Sequence, residues 1–463
     1  MQLIDPSKKQ CKEALNRKNE QPVVDLKSLL TIAATALLST APSSIAHAET
    51  VDQTLSQSNR YVEDNWSFDT AFLGYSEGDR VSAAEGVFSA TRLFENDEVL
   101  NIKLTVDALT GASANGAVAQ PNVQTFTRPS GSGQYTVAPG DTPLDDTFHD
   151  TRVQLNAQWT QPLFDHTRVS GGVHLSKEYD YLSLGLNSNV AIDFNQKNST
   201  ISFGGSLFQD TITPEGGIPI AFSSMAIRTD QNDSEWQNEF NDTRSGSEET
   251  KLTADVLLGF TQVINRRMLM QFNYSYSVVD GYMTDPFKII SVVNSEGLTQ
   301  DNIYENRPDK RTKQSMYVQS MYHFDITVLD LSYRYMSDDW DVVSHTIDTR
   351  FRIPFGNDSY IQPHIRYYQQ NAANFFSPFL NQEEYKISPP NFTSADYRIG
   401  EMSTYTLGVK YGTVINHGND ISFRLEYYHQ SPTDSGFESP GALAQLSLYE
   451  PIEALIFQMN YSF

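Results

Sequence analysis

At every second position near the C-terminus, Leu455, Phe457, Met459, Tyr461 and Phe463 are apolar or aromatic, while Ala454, Ile456, Gln458, Asn460 and Ser462 are mostly polar. A period of two places alternate side chains on opposite faces of a β-strand with one apolar face. The same alternation recurs through the chain. It predicts strands over about 66–77, 80–94, 100–108, 152–159, 169–177, 182–194, 201–207, 252–260 and 268–276. Further strands are predicted over about 313–324, 326–336, 342–353, 360–369, 405–411 and 421–427, before the terminal one.

Between them lie turn-rich stretches without periodicity, chiefly 110–148, an acidic one at 210–249 that gathers Glu235, Glu239, Asp242, Glu248 and Glu249, and one reaching about Tyr397. The short connections near Asn96, Asp165, Gln196, Asn265, Phe324, Asn357 and Asn416 fall on one side if successive strands run up and down, and every long loop falls on the other. The run Lys288–Val293 is the ambiguous element. Counting it as a spanning strand reverses that order for the rest of the chain. Assigning it to a loop preserves the order and gives sixteen strands, with eighteen as the alternative. The expected fold is therefore all-β: a transmembrane antiparallel up-and-down barrel with long extracellular loops and short periplasmic turns. Closure follows from the backbone, because in hydrocarbon every peptide group needs an internal partner. No blade-length repeat supports a soluble propeller.

The first 48 residues read as a secretory leader. Lys8, Lys9, Lys12, Arg17, Lys18 and Lys27 precede the apolar run Leu29–Leu38, and Ala46-His47-Ala48 has the form of a cleavage site. Residues 49–64 then form a short periplasmic segment, and 65–463 the barrel. Cys11, the only cysteine, lies in the leader, so the exported chain needs no disulfide framework. After the leader no apolar run is long enough for a spanning helix. The full sequence has 33 basic and 57 acidic residues, and the leader holds six and four of these, leaving a formal charge of −26. That balance argues against nucleic-acid binding.

With the apolar face in lipid, the other face lines the lumen. There Arg334, Asp348, Arg350, Arg352, His364, Arg366, Arg424 and Glu426 form a charged patch, with Asp348 expected opposite His364 and Thr346 opposite Arg366. Such a patch either attracts anions in an open bore or staples the wall through Arg–carboxylate pairs. Ser344, His345 and the acids Asp338 and Asp339 invite a hydrolase reading, but adjacent strand residues point to opposite faces. No metal-ligand spacing and no cofactor motif is present, although acidic loops suit loose Ca²⁺ or Mg²⁺ bridging to lipopolysaccharide phosphates. With only residues 49–64 ahead of the first strand, no plug domain of the energised-receptor kind precedes the barrel.

The terminal face of Phe457, Met459, Tyr461 and Phe463 resembles the signal by which the barrel assembly machinery recognises its clients. More widely, the chain resembles a functionally uncharacterised proteobacterial family of outer-membrane barrels. The resemblance rests on Tyr75-Ser76-Glu77 with Asp79-Arg80-Val81, Leu104–Asp107, Leu109–Ser113, Asp180-Tyr181, Gly281-Tyr282, Asp285-Pro286, Arg307-Pro308-Asp309, Asp338-Asp339-Trp340, Ser344-His345-Thr346 and Arg366-Tyr367-Tyr368. It implies a fold and a location, surrounded by lipid and lipopolysaccharide, and no substrate. Two readings stay open: a passive or substrate-selective channel for a small solute, and a non-conducting scaffold or receptor for a partner protein.

Overall fold

A computed structural model describes residues 66–78, 80–228, 232–356, 358–415, 418–433 and 437–463. The leader, residues 49–64 and the turn positions Asn357 and Asn416 lie outside the described residues. Numbered along the chain, sixteen strands close a barrel: β1 (Trp66–Glu77), β2 (Val81–Leu93), β3 (Val99–Ala114), β6 (Leu144–Phe164), β7 (Thr167–Lys177), β8 (Tyr181–Phe194), β9 (Ser199–Ile212), β12 (Glu249–Asn265), β13 (Met268–Gly281), β16 (Lys310–His323), β17 (Val328–Asp338), β18 (Val343–Phe355), β19 (Ser359–Gln370), β21 (Met402–Ile415), β22 (Asn419–Pro432) and β23 (Ile452–Ser462). The remaining strands, β4 (Gln124–Thr127), β5 (Gln134–Val137), β10 (Ile218–Pro219), β11 (Arg244–Gly246), β14 (Ile289–Val293), β15 (Thr299–Tyr304) and β20 (Leu380–Asn381), lie in the long loops.

The barrel follows the alternation. Outward positions such as Phe72, Leu155, Leu186, Phe203, Leu258, Ile365 and Leu425 are exposed, and their strand neighbours Asp69, Asn189, Ser206, Gln362 and Glu426 are buried. A protein that shows its apolar faces outward and its polar faces inward all the way round has lipid as its solvent. Tyr333, Tyr405 and Tyr427 stand exposed on the outer face, with Tyr367 and Tyr405 rings 5.0 Å apart, as in a girdle at headgroup depth. Sharp turns close the short side; Asn195, Gln196 and Lys197 take three successive left-handed conformations there.

Closure joins β1 to β23, from Asp69 opposite Ser462 to Glu77 opposite Ala454. Phe68 and Phe463 exchange two backbone hydrogen bonds of 2.9 Å, and their rings stack with centroids 5.4 Å apart. The last residue thus completes the last ladder.

Lys288–Val293 belongs to a loop, as the parity argument required; it forms β14 at the centre of a three-stranded sheet with β15 and β20. The long loops are not the featureless stretches their composition suggested. Glu235 and Glu239 lie on a helix, Asp233–Asp242, capped by the Asn232 side chain and anchored by buried Trp236 and Phe240. At Gly111 and Gly281 the strands leave the wall through left-handed backbone; a Cβ there would sit 2.2 Å from the Arg80 carbonyl oxygen and 2.3 Å from that of Thr250. Only glycine fits both conditions.

Five loops then pack on one another. The loop after β3 leaves the rim six strands round from the loop after β13, yet the two are joined: Ile289 N–H donates to Asn115 O at 2.8 Å. Val118, Val293, Phe379, Leu443 and Leu448, from four different loops, share one apolar cluster. Ile290, Val292, Ile303 and Ala395 form another beside it. Loops from opposite sides of the rim therefore meet over the outer mouth as a folded cap.

Replacing Phe463 by Ala removes the seam stack and its contact with Tyr461. The expected result is a lower yield of the heat-resistant, closed form on refolding, with a loss of about 0.5–1.5 kcal/mol beyond area burial. Unchanged yield and midpoint would show that the terminal ring has no part in closure.

Candidate functional site

The predicted lumenal residues all lie on inward positions of β17, β18, β19 and β22, but they do not form one patch. The register differs from expectation: Asp348 pairs with Arg366, Arg350 with His364 and Thr346 with Tyr368. The ladder runs on to Phe355 opposite Ser359, and each pair is moved by two from the expected one. The Asp348–His364 contact survives as a diagonal one, with Nε2 of His364 3.0 Å from Asp348 Oδ2.

On its other side His364 places Nδ1 2.6 Å from Glu426 Oε1. Carboxylates only accept, so an imidazole that serves both acids must donate from both nitrogens. Arg350 lies 3.4 Å from Asp348 and Arg424 3.9 Å from Glu426. Between His364 and Glu426 runs β21, where their row is occupied by Gly408. A Cβ at Gly408 would fall 2.6 Å from Glu426 Cγ, so the bare backbone lets the carboxylate cross to the imidazole. Neither Gly408 nor the buried Lys410 two residues on was apparent from the alternation alone. Arg352 lies apart, its guanidinium 3.7 Å above the Tyr360 ring. This lower group is a charge-paired staple across four strands, in which Arg350, His364 and Arg424 hold Asp348 and Glu426. Arg334 and Arg366 lie towards the outer mouth, Arg334 opposite Thr346 and Arg366 opposite Asp348.

A second charged cluster, missed in the sequence, joins the cap. Arg307 contacts Glu305 at 2.6 Å and Asp396 at 2.8 Å, and Arg398 grips Asp396 and reaches Asp285 at 2.5 Å. Glu305 and Asp396 are almost wholly buried, and Ser394 Oγ donates to Glu305 at 2.5 Å. Burial opposes the charge of Asp396, but Arg398 and Arg307 outweigh it and hold its carboxyl well below the ordinary range. Burial pushes Glu305 up despite the adjoining Arg307, and pushes the Lys288 ammonium down. The only earlier sign was that Asp285-Pro286 and Arg307-Pro308-Asp309 are among the stretches carrying the family resemblance. Asp338-Asp339-Trp340 has a related role: Arg311 pairs with Asp338 at 2.5 Å and lies 4.2 Å from the ring of Trp340, a buried cap residue.

Ser344 is buried on the lumenal face, whereas His345 is exposed on the lipid face and bonds Tyr333 at 2.8 Å, so the two form no nucleophile–base pair. Asp150, Glu178 and Asp180 bring carboxylate oxygens within 4.8 Å of one another at the outer rim. Burial and the neighbouring Asp150 push Glu178 up to about 7.

Residues 27–463 match the family described as protein of unknown function DUF3570. No curated protein matches. Among solved structures, CdiB from Acinetobacter baumannii is similar at 7% identity and a TM-score of 0.43, over 86% of this chain and 60% of CdiB. This chain thus spans under two thirds of that protein. The CymD monoaromatic hydrocarbon channel aligns at 8% identity and TM-score 0.36 over 88% of this chain and 90% of its own. The FrpB iron transporter from Neisseria meningitidis aligns at 10% identity and TM-score 0.40 over 87% and 82%. These are likenesses of the barrel wall alone.

Two measurements test the site. His364→Ala leaves two buried carboxylates facing each other and is expected to cost roughly 3–5 kcal/mol, seen as a lower midpoint of heat-modifiable gel mobility; Gly408→Ala should also lower it by displacing Glu426. Unchanged midpoints for both would show that the staple contributes nothing. In the cap, the depressed Asp396 contributes stability above its unfolded pKa near 4, lost as pH falls through the lower folded value. The emission of Trp236 and Trp340, both buried in the cap, should therefore stay blue-shifted to about pH 4 and move red only below it. A red shift already at pH 6 would contradict the ionic lock.

Proposed function

The chain belongs to the DUF3570 family, and from its own geometry we propose that it is a gated conduit of the outer membrane. In this reading the cap closes the outer mouth at rest, and a small polar solute passes along an Arg-bearing lumen when the loops part. One observation carries it: loops from opposite sides of the rim share buried apolar clusters and a buried ionic network. A passive pore has no need of a folded lid, and a solid scaffold has no need of a continuous polar inner face. Export would use the leader at 1–48, with assembly through the terminal strand and lipopolysaccharide bridged at the acidic rim.

The second reading is a non-conducting receptor, favoured by the charge-paired staple of Asp348, Arg350, His364, Arg424 and Glu426 that ties the wall together. Bilayer recordings separate the two. Asn306 and Thr393 tie two cap loops as a directly hydrogen-bonded antiparallel pair, with N–H to O distances of 3.0 and 2.9 Å. Pairs of that type have Cα atoms about 5.5 Å apart, within disulfide range. The expected outcome is discrete openings from the unmodified barrel, silence from oxidised Asn306→Cys/Thr393→Cys, and recovery on reduction. Openings unaffected by the crosslink would overturn the gate. Silence from every folded form would leave the receptor.

A further inference from the structure

The lumenal charges of β16 to β22 sort by whether a carboxylate answers them. Asp348 and Glu426 are engaged by His364, Arg350 and Arg424, and Asp338 by Arg311. Arg366 stands opposite Asp348 and Lys313 opposite Asp338, acids already held by His364 with Arg350 and by Arg311, while Arg334 stands between Tyr317 and Thr346. Nε of Arg334 is shielded from solvent and has no hydrogen-bond partner. Arg334 and Arg366 are both half-buried, so each gives up part of its solvation, and holding like charges together adds to that cost. Two guanidiniums within reach of each other, beside an acid that other cations already hold, therefore need an explanation.

Their placement supplies one. Arg334 on β17 and Arg366 on β19 flank the same strand, β18, which presents Thr346 and Asp348 between them. Neighbouring strands lie about 4.8 Å apart and the two arginines are offset by two residues along them, so their Cα atoms are separated by about 12 Å, a gap that arginine side chains close. Arg334 is within electrostatic reach of Arg366 and of the Tyr317 and Tyr368 rings, and Arg366 is within reach of Tyr428. Above them Gln370 donates to Gly400 O of the cap at 2.7 Å, and Tyr397 of the cap lies within reach of Tyr428. Arg366 is four residues below Gln370, about 13 Å along the strand. The pair thus sits in the lumen directly beneath the lid.

We propose that Arg334 and Arg366, with Tyr317 and Tyr368 as walls, form a subsite for an oxyanion, the carboxylate or phosphate group of the solute. The planar guanidinium fork matches two oxygens of either group, where an ammonium offers only a point charge. Two such forks across one strand give an oxyanion the kind of pairing that Arg311, Arg350 and Arg424 find in carboxylates of the wall. The inference deepens the conduit reading and rests on it for the solute's route, but binding itself does not require conduction.

The test is equilibrium binding to the full barrel folded in detergent, read as the midpoint of heat-modifiable mobility. Sodium phosphate, sodium acetate and sodium chloride are compared at equal ionic strength. Phosphate or acetate should raise the midpoint above chloride, and which of them does so assigns the oxyanion. Arg334→Gln and Arg366→Gln should each raise the half-maximal concentration roughly tenfold to a hundredfold, the range expected for a lost charged hydrogen bond. Arg334→Lys, which keeps the charge and loses the fork, should fall between, and covers the case in which Arg334→Gln does not fold. Arg352→Gln, whose guanidinium lies on Tyr360, should behave as the unmodified barrel. No oxyanion-specific shift, or equal shifts in the Arg366 and Arg352 variants, would overturn the subsite. A shift from a barrel that never conducts would uphold the subsite and overturn the conduit. Conductance without a shift would do the reverse.

Discussion

A peptide group in hydrocarbon has no water to turn to, and leaving one unpaired costs several kcal/mol. That constraint governs the whole molecule. It requires a closed sheet, and a closed sheet requires a last strand that finds the first. Here the last residue does so, with Phe463 and Phe68 bonded backbone to backbone and stacked ring on ring. Once closed, the wall leaves its side chains two environments, lipid and lumen, so alternate residues must be apolar and polar. The same geometry brings charged groups onto neighbouring strands, where each must find a partner or a ligand.

The cap meets the constraint differently. Its loops leave the lipid, yet they bury backbone and charge against one another, as β14 does with an interior of Ile290, Val292 and Val293. Arg307 and Arg398 make this tolerable for Glu305, Asp285 and Asp396. Such a network is a lock more than a source of stability: replaced by apolar residues it would cost little, but losing one partner exposes an uncompensated buried charge. A cap built this way is held together as a unit.

How much was legible before the fold was known divides along the same line. All sixteen wall strands follow from period-two alternation, because lipid enforces it residue by residue. Loop parity placed Lys288–Val293 outside the wall correctly. Register was less accessible: β18 meets β19 with each pair moved by two, so Asp348 faces Arg366 where His364 was expected. The staple was half visible, its charged members showing in the alternation, while Gly408, the residue that lets Glu426 reach His364, carries no charge to notice. The cap was hidden, since its contacts join residues 115 to 118 with 289 to 293 and 440 to 449, and no local period reports such distant packing. The helix Asp233–Asp242 had a cap signal in Asn232 followed by Ser234 and Glu235, masked by the acidic composition around it.

The central claim is that the outer mouth is closed by a folded lid, and amide hydrogen exchange of the barrel in lipid tests it most directly. Residues 289–293 and 303–305 should exchange slowly, approaching the wall strands, while 386–392, where Ile387 is 84% exposed, exchange fast. Exchange at 289–293 as fast as at 386–392 would mean the loops are unpacked and the mouth open.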